Sequence, residues 1–185
     1  MAFEFVKAFF KHPRQVGSIV ESSAYMARAL MAPVDFAVAT TLVELGSGTG
    51  SVTKHIVQRM RQDARLFVFE IDPALVARLR HQINDSRVTI IEGSAEQLST
   101  HLAAHGAASV DAIISCLPVV TLPAPVTEKI WREIEATLVK GGVYVQLQLS
   151  LVFLRKMRKR FAGLRVRFEP RNIPPGFAFI YQKTL

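Results

Sequence analysis

Five short apolar runs, TLVEL (41–45), RLFVFE (65–70), RVTIIE (87–92), VDAIIS (110–115) and VYVQLQL (143–149), alternate with the helical patterns SVTKHIVQRM, PALVARLRHQI, AEQLSTHLAAH and VTEKIWREIEATLV. The runs are apolar along nearly their whole length rather than at every second position. Each therefore needs cover on both faces, as in a parallel sheet between two helical layers. The alternation predicts an α/β fold with a doubly wound, mostly parallel sheet. Towards the end the rhythm breaks, because LRVRFEP and GFAFIYQKTL read as two strands joined by RNIPPG with no helical pattern between them. An antiparallel C-terminal hairpin is expected there. Residues 1–40 precede the first strand and read as two helical segments split around Pro13 and Gly17.

With 185 residues, half of them hydrophobic, the chain can bury a core of its own. Cys116 is the single cysteine, which excludes an internal disulfide and suits a reducing compartment. No apolar run nears the roughly 20 residues of a spanning helix, and no signal-peptide pattern opens the chain, so a cytoplasmic protein is expected. The net charge of +8 is uneven: residues 1–150 hold 14 Lys and Arg against 14 Asp and Glu. The last 35 residues hold nine cations (Arg155, Lys156, Arg158, Lys159, Arg160, Arg165, Arg167, Arg171 and Lys183) against Glu169 alone. Such an excess suits an anionic partner, a phospholipid surface or a nucleic acid.

Residues 42–56, LVELGSGTGSVTKHI, put Glu44 in the first strand and glycine at every second position after it, Gly46, Gly48 and Gly50. Glycine there lets the backbone approach a ligand closely and turn into the helix that begins near Ser51. A dinucleotide fingerprint would need glycine at position 51, and no Gly-Lys-Ser/Thr follows to make a phosphate loop. What fits is E-x-G-x-G-x-G, the loop associated with S-adenosylmethionine (SAM), with Ser47 inside it. Glu70, followed by Ile71, ends the second strand, where a carboxylate can accept hydrogen bonds from both ribose hydroxyls. Ser94, Ala95 and Glu96 follow the third strand, against the adenine. SCLPVV follows the fourth, where a reacting atom would meet the methyl group. Singly, each has a plainer explanation: Glu70 as a capping or surface carboxylate, Gly50 as a helix start, Cys116 as a buried packing residue. Their succession at the carboxyl ends of consecutive strands is what points to SAM. Asp72 reads as a helix N-cap before Pro73. No metal site is expected.

From FFKHPRQVGSIVESSAYMARAL through the glycine loop to SCLPVVTLP and RNIPPGFAFIY, the chain resembles bacterial SAM-dependent phospholipid N-methyltransferases of the class I, Rossmann-like type. The likeness spans nearly its full length. Ser115-Cys116-Leu117-Pro118, with Pro123 beyond it, resembles the family's S-G-L-P segment; Asn172-Ile173-Pro174-Pro175 and the paired Ser22 and Ser23 match as well. Cys116 stands where glycine is usual, and Glu21 where proline is usual. The resemblance implies stepwise methylation of phosphatidylethanolamine toward phosphatidylcholine, peripheral attachment to the inner face of a membrane, and a place for Ser22 and Ser23 at the cofactor. It makes 41–185 the SAM-dependent methyltransferase domain and 1–40 a candidate anchor or lid.

The residues supply matching parts. On a helical wheel Glu4, Lys7 and Lys11 form one stripe, with Phe3, Phe5, Val6, Phe9 and Phe10 opposite, as in an interfacial helix. In LVFLRKMRKRF, residues 151–161, one arc carries Leu151, Phe153, Leu154, Met157 and Phe161, and cations fill most of the rest. That arc suits a lipid surface and packing on the sheet equally well. Tyr25 could hold a methylated ammonium by cation–π attraction or serve as a core aromatic. Ser115, Cys116, Leu117 and Pro118 would place the headgroup, and Arg167 and Arg171 would receive its phosphate.

Rival readings are an rRNA adenine N6-dimethyltransferase, a small-molecule methyltransferase, and a noncatalytic membrane-binding module. The first wants Asn-Leu-Pro-aromatic after the fourth strand to grip a flipped adenine; this chain has Ser115-Cys116-Leu117-Pro118-Val119, with neither the Asn nor the aromatic.

Overall fold

The computed structural model describes residues 22–184, so the N-terminal stripe of residues 3–11, Pro13, Gly17 and Glu21 lie outside the described residues. Helix α1 (Ala24–Met31) leads into β1 (Thr41–Leu45), α2 (Ser51–Val57), β2 (Arg65–Glu70), α3 (Pro73–Gln82) and β3 (Val88–Glu92). A 3-10 turn (Ala95–Gln97), α4 (Leu98–Ala104), β4 (Val110–Ser115), α5 (Ala124–Thr137) and β5 (Leu138–Gln148) follow. The chain closes with α6 (Leu154–Arg160), β6 (Arg165–Glu169) and β7 (Gly176–Gln182).

One 7-stranded sheet runs in the order β3-β2-β1-β4-β5-β7-β6. Strands β1 to β5 are parallel, and β7 is antiparallel to both neighbours. The α/β class, the doubly wound sheet and the antiparallel C-terminal hairpin are therefore present. The hairpin carries a twist that its sequence did not announce: the last strand inserts between β5 and β6, leaving β6 at the edge.

Side chains alternate across each strand, and both faces are apolar. Val43, Leu45, Phe67, Phe69 and Ile113 meet α4, α5 and α6, whereas Leu42, Leu66, Val68, Ala112 and Ile114 meet α1, α2 and Leu79 of α3. Trp131 of α5 is fully buried, with Phe153 and Phe161 at ring-centroid distances of 5.9 and 5.7 Å. Asp72 does cap α3, its carboxylate accepting from the backbone N–H groups of Ala74 (2.8 Å) and Leu75 (3.3 Å) with Pro73 in the first turn. Arg87 ties down the exit of α2: it pairs with Asp85 at 2.7 Å and donates to the carbonyls of Val57, Met60 and Arg61.

The apolar arc of residues 151–161 divides. Met157 and Phe161 are fully buried and Phe153 and Leu154 pack against the core, but Leu151 and Val152 are exposed. The reason is the helix start: the chain bends out of β5 and becomes helical only at Leu154, so the wheel drawn from Leu151 loses its phase.

Leu45, Glu70, Glu92 and Ser115 end parallel strands at one edge of the sheet. The strand order reverses between β1 and β4, which opens the crevice of a doubly wound fold. Because Gln148 lies opposite Phe177 and Glu169 opposite Gly176, the turns after β5 and between β6 and β7 reach the same edge.

Candidate active site at the carboxyl edge of the sheet

The glycine loop is built on left-handed backbone. Gly46, Gly48 and Gly50 have φ of 72°, 56° and 83°, where a side chain is strained. At Gly46 an added Cβ would also lie 2.8 Å from Cδ2 of Leu117, which would have to shift to admit it. The loop from β1 and the loop from β4 thus touch through this glycine.

Glu70, almost wholly buried, organises the neighbouring turn: one carboxylate oxygen accepts from the Gly48 N–H (2.8 Å), the other from Ile71 (2.7 Å) and Asp72 (3.1 Å). A carboxylate has room for about four such bonds, so capacity remains for a ligand. Beneath the loop, both Glu44 carboxylate oxygens, the Ser47 hydroxyl and the Thr53 hydroxyl are buried without a hydrogen-bond partner. Burial pushes the Glu44 carboxyl up from 4.5 to about 7, against the opposing pull of the nearby Thr53 hydroxyl and N–H and with the Glu70 charge adding to the effect. Unpaired polar atoms behind a side-chain-free cradle, with a carboxylate at its rim, fit a polar, cationic ligand such as SAM.

The next loop is held locally. Ser94 accepts from the Glu96 N–H at 3.2 Å and starts the 3-10 turn, Ala95 joins the core, and the nearly buried Glu96 carboxylate lies 3.9 Å from Lys129.

After β4, Ser115 is fully buried and the Cys116 N–H donates to the Leu45 carbonyl at 2.9 Å. The Leu117 N–H lies 3.4 Å from the Ser115 hydroxyl, and the Pro118 carbonyl accepts from Thr121 at 2.9 Å. Burial, reinforced by the Glu44 charge, drives the Cys116 thiol above its usual range, which favours the protonated form of this half-buried residue. One residue that sequence reasoning missed controls this segment. Gln146 of β5, beside Ser115 in register, donates to the Leu117 carbonyl at 2.9 Å while its own carbonyl accepts from the Tyr144 hydroxyl at 2.8 Å. A glutamine in the middle of an otherwise apolar run, VYVQLQL, was the available signal.

The remaining candidates gather at the turn between β6 and β7. Ser23 caps α1 through its hydroxyl, and its N–H donates to Asn172 Oδ1 at 3.0 Å; Ser22 is half-buried beside it. Asn172 in turn donates to the Pro174 carbonyl at 2.7 Å. Arg171 grips Glu169 with both ends of its guanidinium, at 2.8 and 3.1 Å, and lies 4.2 Å from the centroid of the Tyr25 ring, with Arg28 at 5.6 Å. Tyr25 thus already carries a cation on its ring. Arg167 stands exposed on β6. Among the described residues no cluster of three or more His, Cys, Asp or Glu could hold a metal ion.

Residues 42–142 match the methyltransferase domain family. The chain is 32% identical, over 96% of its length and 93% of the other protein's, to an ornithine lipid N-methyltransferase from Singulisphaera acidiphila. It is 44% identical to a ribosomal RNA small subunit methyltransferase A from Aromatoleum aromaticum, across 30% of this chain and 20% of that one. Among solved structures, a precorrin-6y C5,15-methyltransferase from Geobacter metallireducens superposes with a TM-score of 0.70, at 16% identity over 89% of this chain and 92% of that one.

Proposed function

The chain belongs to the methyltransferase domain family and is a SAM-dependent methyltransferase, and from that premise we propose that its acceptor is the amine of a zwitterionic membrane lipid, phosphatidylethanolamine and then its methylated products. The observation that carries the reading is the extent of the likeness to a lipid N-methyltransferase. It runs over 96% of the chain, through α1 and the terminal hairpin, and not over the cofactor half alone. The likeness to an rRNA methyltransferase covers 30%, and the position where such an enzyme needs an aromatic ring is the fully buried Val119.

Bound in the crevice, SAM supplies a methyl group made electrophilic by its sulfonium. The chain's own work is placement. Glu70 and the Gly46–Gly50 loop bind the nucleoside and methionine ends, and Ser94 to Glu96 flank the base. The Ser115–Pro118 segment, fixed by Leu45 and Gln146, forms the wall at which an amine is brought to roughly 3 Å in line with the methyl, which can supply most of the acceleration. Arg167, exposed on β6, suits the anionic half of a zwitterionic headgroup, whereas Arg171 is engaged by Glu169 and the Tyr25 ring. Ser22 and Ser23 close the crevice from the α1 side.

Ornithine lipid, the acceptor in the relative's name, is the second reading. The discriminating experiment supplies methyl-labelled SAM to separate vesicles of phosphatidylethanolamine and of ornithine lipid, each with an anionic lipid, and to ribosomal RNA. Label in phosphatidylethanolamine supports the proposal, label in ornithine lipid alone moves the acceptor to the second reading, and label in RNA overturns both.

A further inference from the structure

We infer that the rim of the sheet's carboxyl edge, formed by residues 149–152, Ile173 and the outer face of α6, is a docking surface for a bilayer containing anionic phospholipid, and that it turns the mouth of the crevice toward the lipid. The inference deepens the lipid-acceptor reading and rests on it for the choice of a bilayer over other anionic surfaces.

Single exposed apolar residues are ordinary. Here Leu149 is 55% exposed, Leu151 47%, Val152 79% and Ile173 79%. They come from two turns far apart in sequence that the register carries to one edge, since Gln148 pairs with Phe177 and Glu169 with Gly176. Directly behind them is a groove of about 440 Å³ lined by Leu151, Leu154, Arg155, Arg158 and Lys159. Its apolar side chains lie toward the rim, and the cations follow along α6.

The basic residues of this helix are sorted. Lys156 pairs with Glu128 and Arg160 with Glu135 on α5, so those two hold the helix to its own domain. Arg155, Arg158 and Lys159 line the groove, and among the described residues none of the three has an ion-pair partner. Apolar side chains that enter the acyl boundary, with cations at headgroup level behind them, are what an anionic bilayer binds. A nucleic acid would meet apolar side chains at the rim and no stacking platform in the groove. The crevice opens at this same edge, so a lipid amine reaches Ser115–Pro118 with its acyl chains still in the bilayer.

The test uses the full chain and vesicles of phosphatidylcholine with or without phosphatidylglycerol. Leu149→Asp with Val152→Asp should weaken vesicle partitioning about tenfold, and Arg155, Arg158 and Lys159→Glu about a hundredfold in the phosphatidylglycerol vesicles alone. SAM affinity and methyl transfer to a short-chain, monomeric aminolipid should be unchanged in both. As a gentler probe, tryptophan at Val152→Trp should shift its fluorescence to the blue on adding vesicles and be quenched by brominated lipid. Unchanged partitioning with no fluorescence shift overturns the surface, as does a Val152→Asp effect that proves to be the loss of a dimer in sedimentation. Wild-type protein that binds vesicles through these residues yet methylates no aminolipid in either form leaves the surface standing and overturns the acceptor reading instead.

Discussion

Replacing Glu44 by glutamine should change how the stability of this protein depends on pH. The carboxyl is fully buried on β1 with neither oxygen paired, and its folded value is about 7 against an ordinary 4.5. A group raised on folding binds its proton more tightly in the native state. Its contribution is therefore complete below the unfolded value and is lost as pH climbs through the folded one. The difference, at roughly 1.4 kcal/mol per pH unit, makes the native state about 3 kcal/mol less stable at pH 8 than at pH 4 on account of this one residue. Urea unfolding of wild type and Glu44→Gln between pH 4 and 8 reads the effect directly. The variant's new amide adds a constant offset, but it cannot titrate. The two stabilities should thus converge or cross, with the variant gaining about 3 kcal/mol relative to wild type across the range. Parallel profiles would refute the assignment and mean that the Glu44 charge is neutralised by a partner in the folded state.

Gly46→Ala should cost about 1–3 kcal/mol in stability, because φ is 72° and the new methyl meets Leu117; SAM affinity measured by calorimetry should fall with it. Gln146→Leu leaves the Tyr144 hydroxyl without its acceptor and cuts the tie from β5 to the Leu117 carbonyl, which keeps only the Val119 N–H. It should lower kcat about tenfold with SAM affinity held, as an error of placement does, whereas Tyr144→Phe, which keeps the bond to Leu117, should retain kcat. Asp85→Asn removes the Arg87 partnership that holds the Asp85 carboxyl down at about 2. A depressed carboxyl stabilises above its unfolded value and stops doing so as pH falls through the folded one. The variant should therefore be about 1 kcal/mol weaker at pH 7 after allowing for solvent screening, and equal to wild type near pH 2 in acid unfolding.

What could be read in the sequence was local. Asp72 followed by Pro73 announces a helix start because the hydrogen bonds involved span three residues, and the apolar runs announce a sheet because each carries its own period. The glycine loop was legible for the same reason: the residues that free its backbone adjoin one another. The partners of Gln146 and Ser23 were not legible, because Leu117 lies 29 positions from Gln146 and Asn172 lies 149 from Ser23. Spacing holds no record of such pairs. The arc of residues 151–161 shows a third case, in which a correct amphipathic pattern was phased from a residue three positions outside the helix. Arg171 is a fourth: its charge suggested an open anion receptor, but Glu169 and the Tyr25 ring already engage it.

The bond between Ser23 and Asn172 joins the opening of the described chain to its last turn, and α1 packs on β7, where the Met26 methyl would have to move aside for any side chain at Gly176. A chain emerging from the ribosome completes β1 to β4, with the glycine loop and Glu70, well before β7 exists. The wall formed by α1 and the terminal turn must wait for the final residues, since so distant a contact closes late. Synthesis therefore delivers the parts in order: the strands that carry the glycine loop and Glu70 first, and the turn that anchors α1 last. A polypeptide cut short before the closing hairpin would carry the glycine loop and Glu70 but lack the turn that anchors α1.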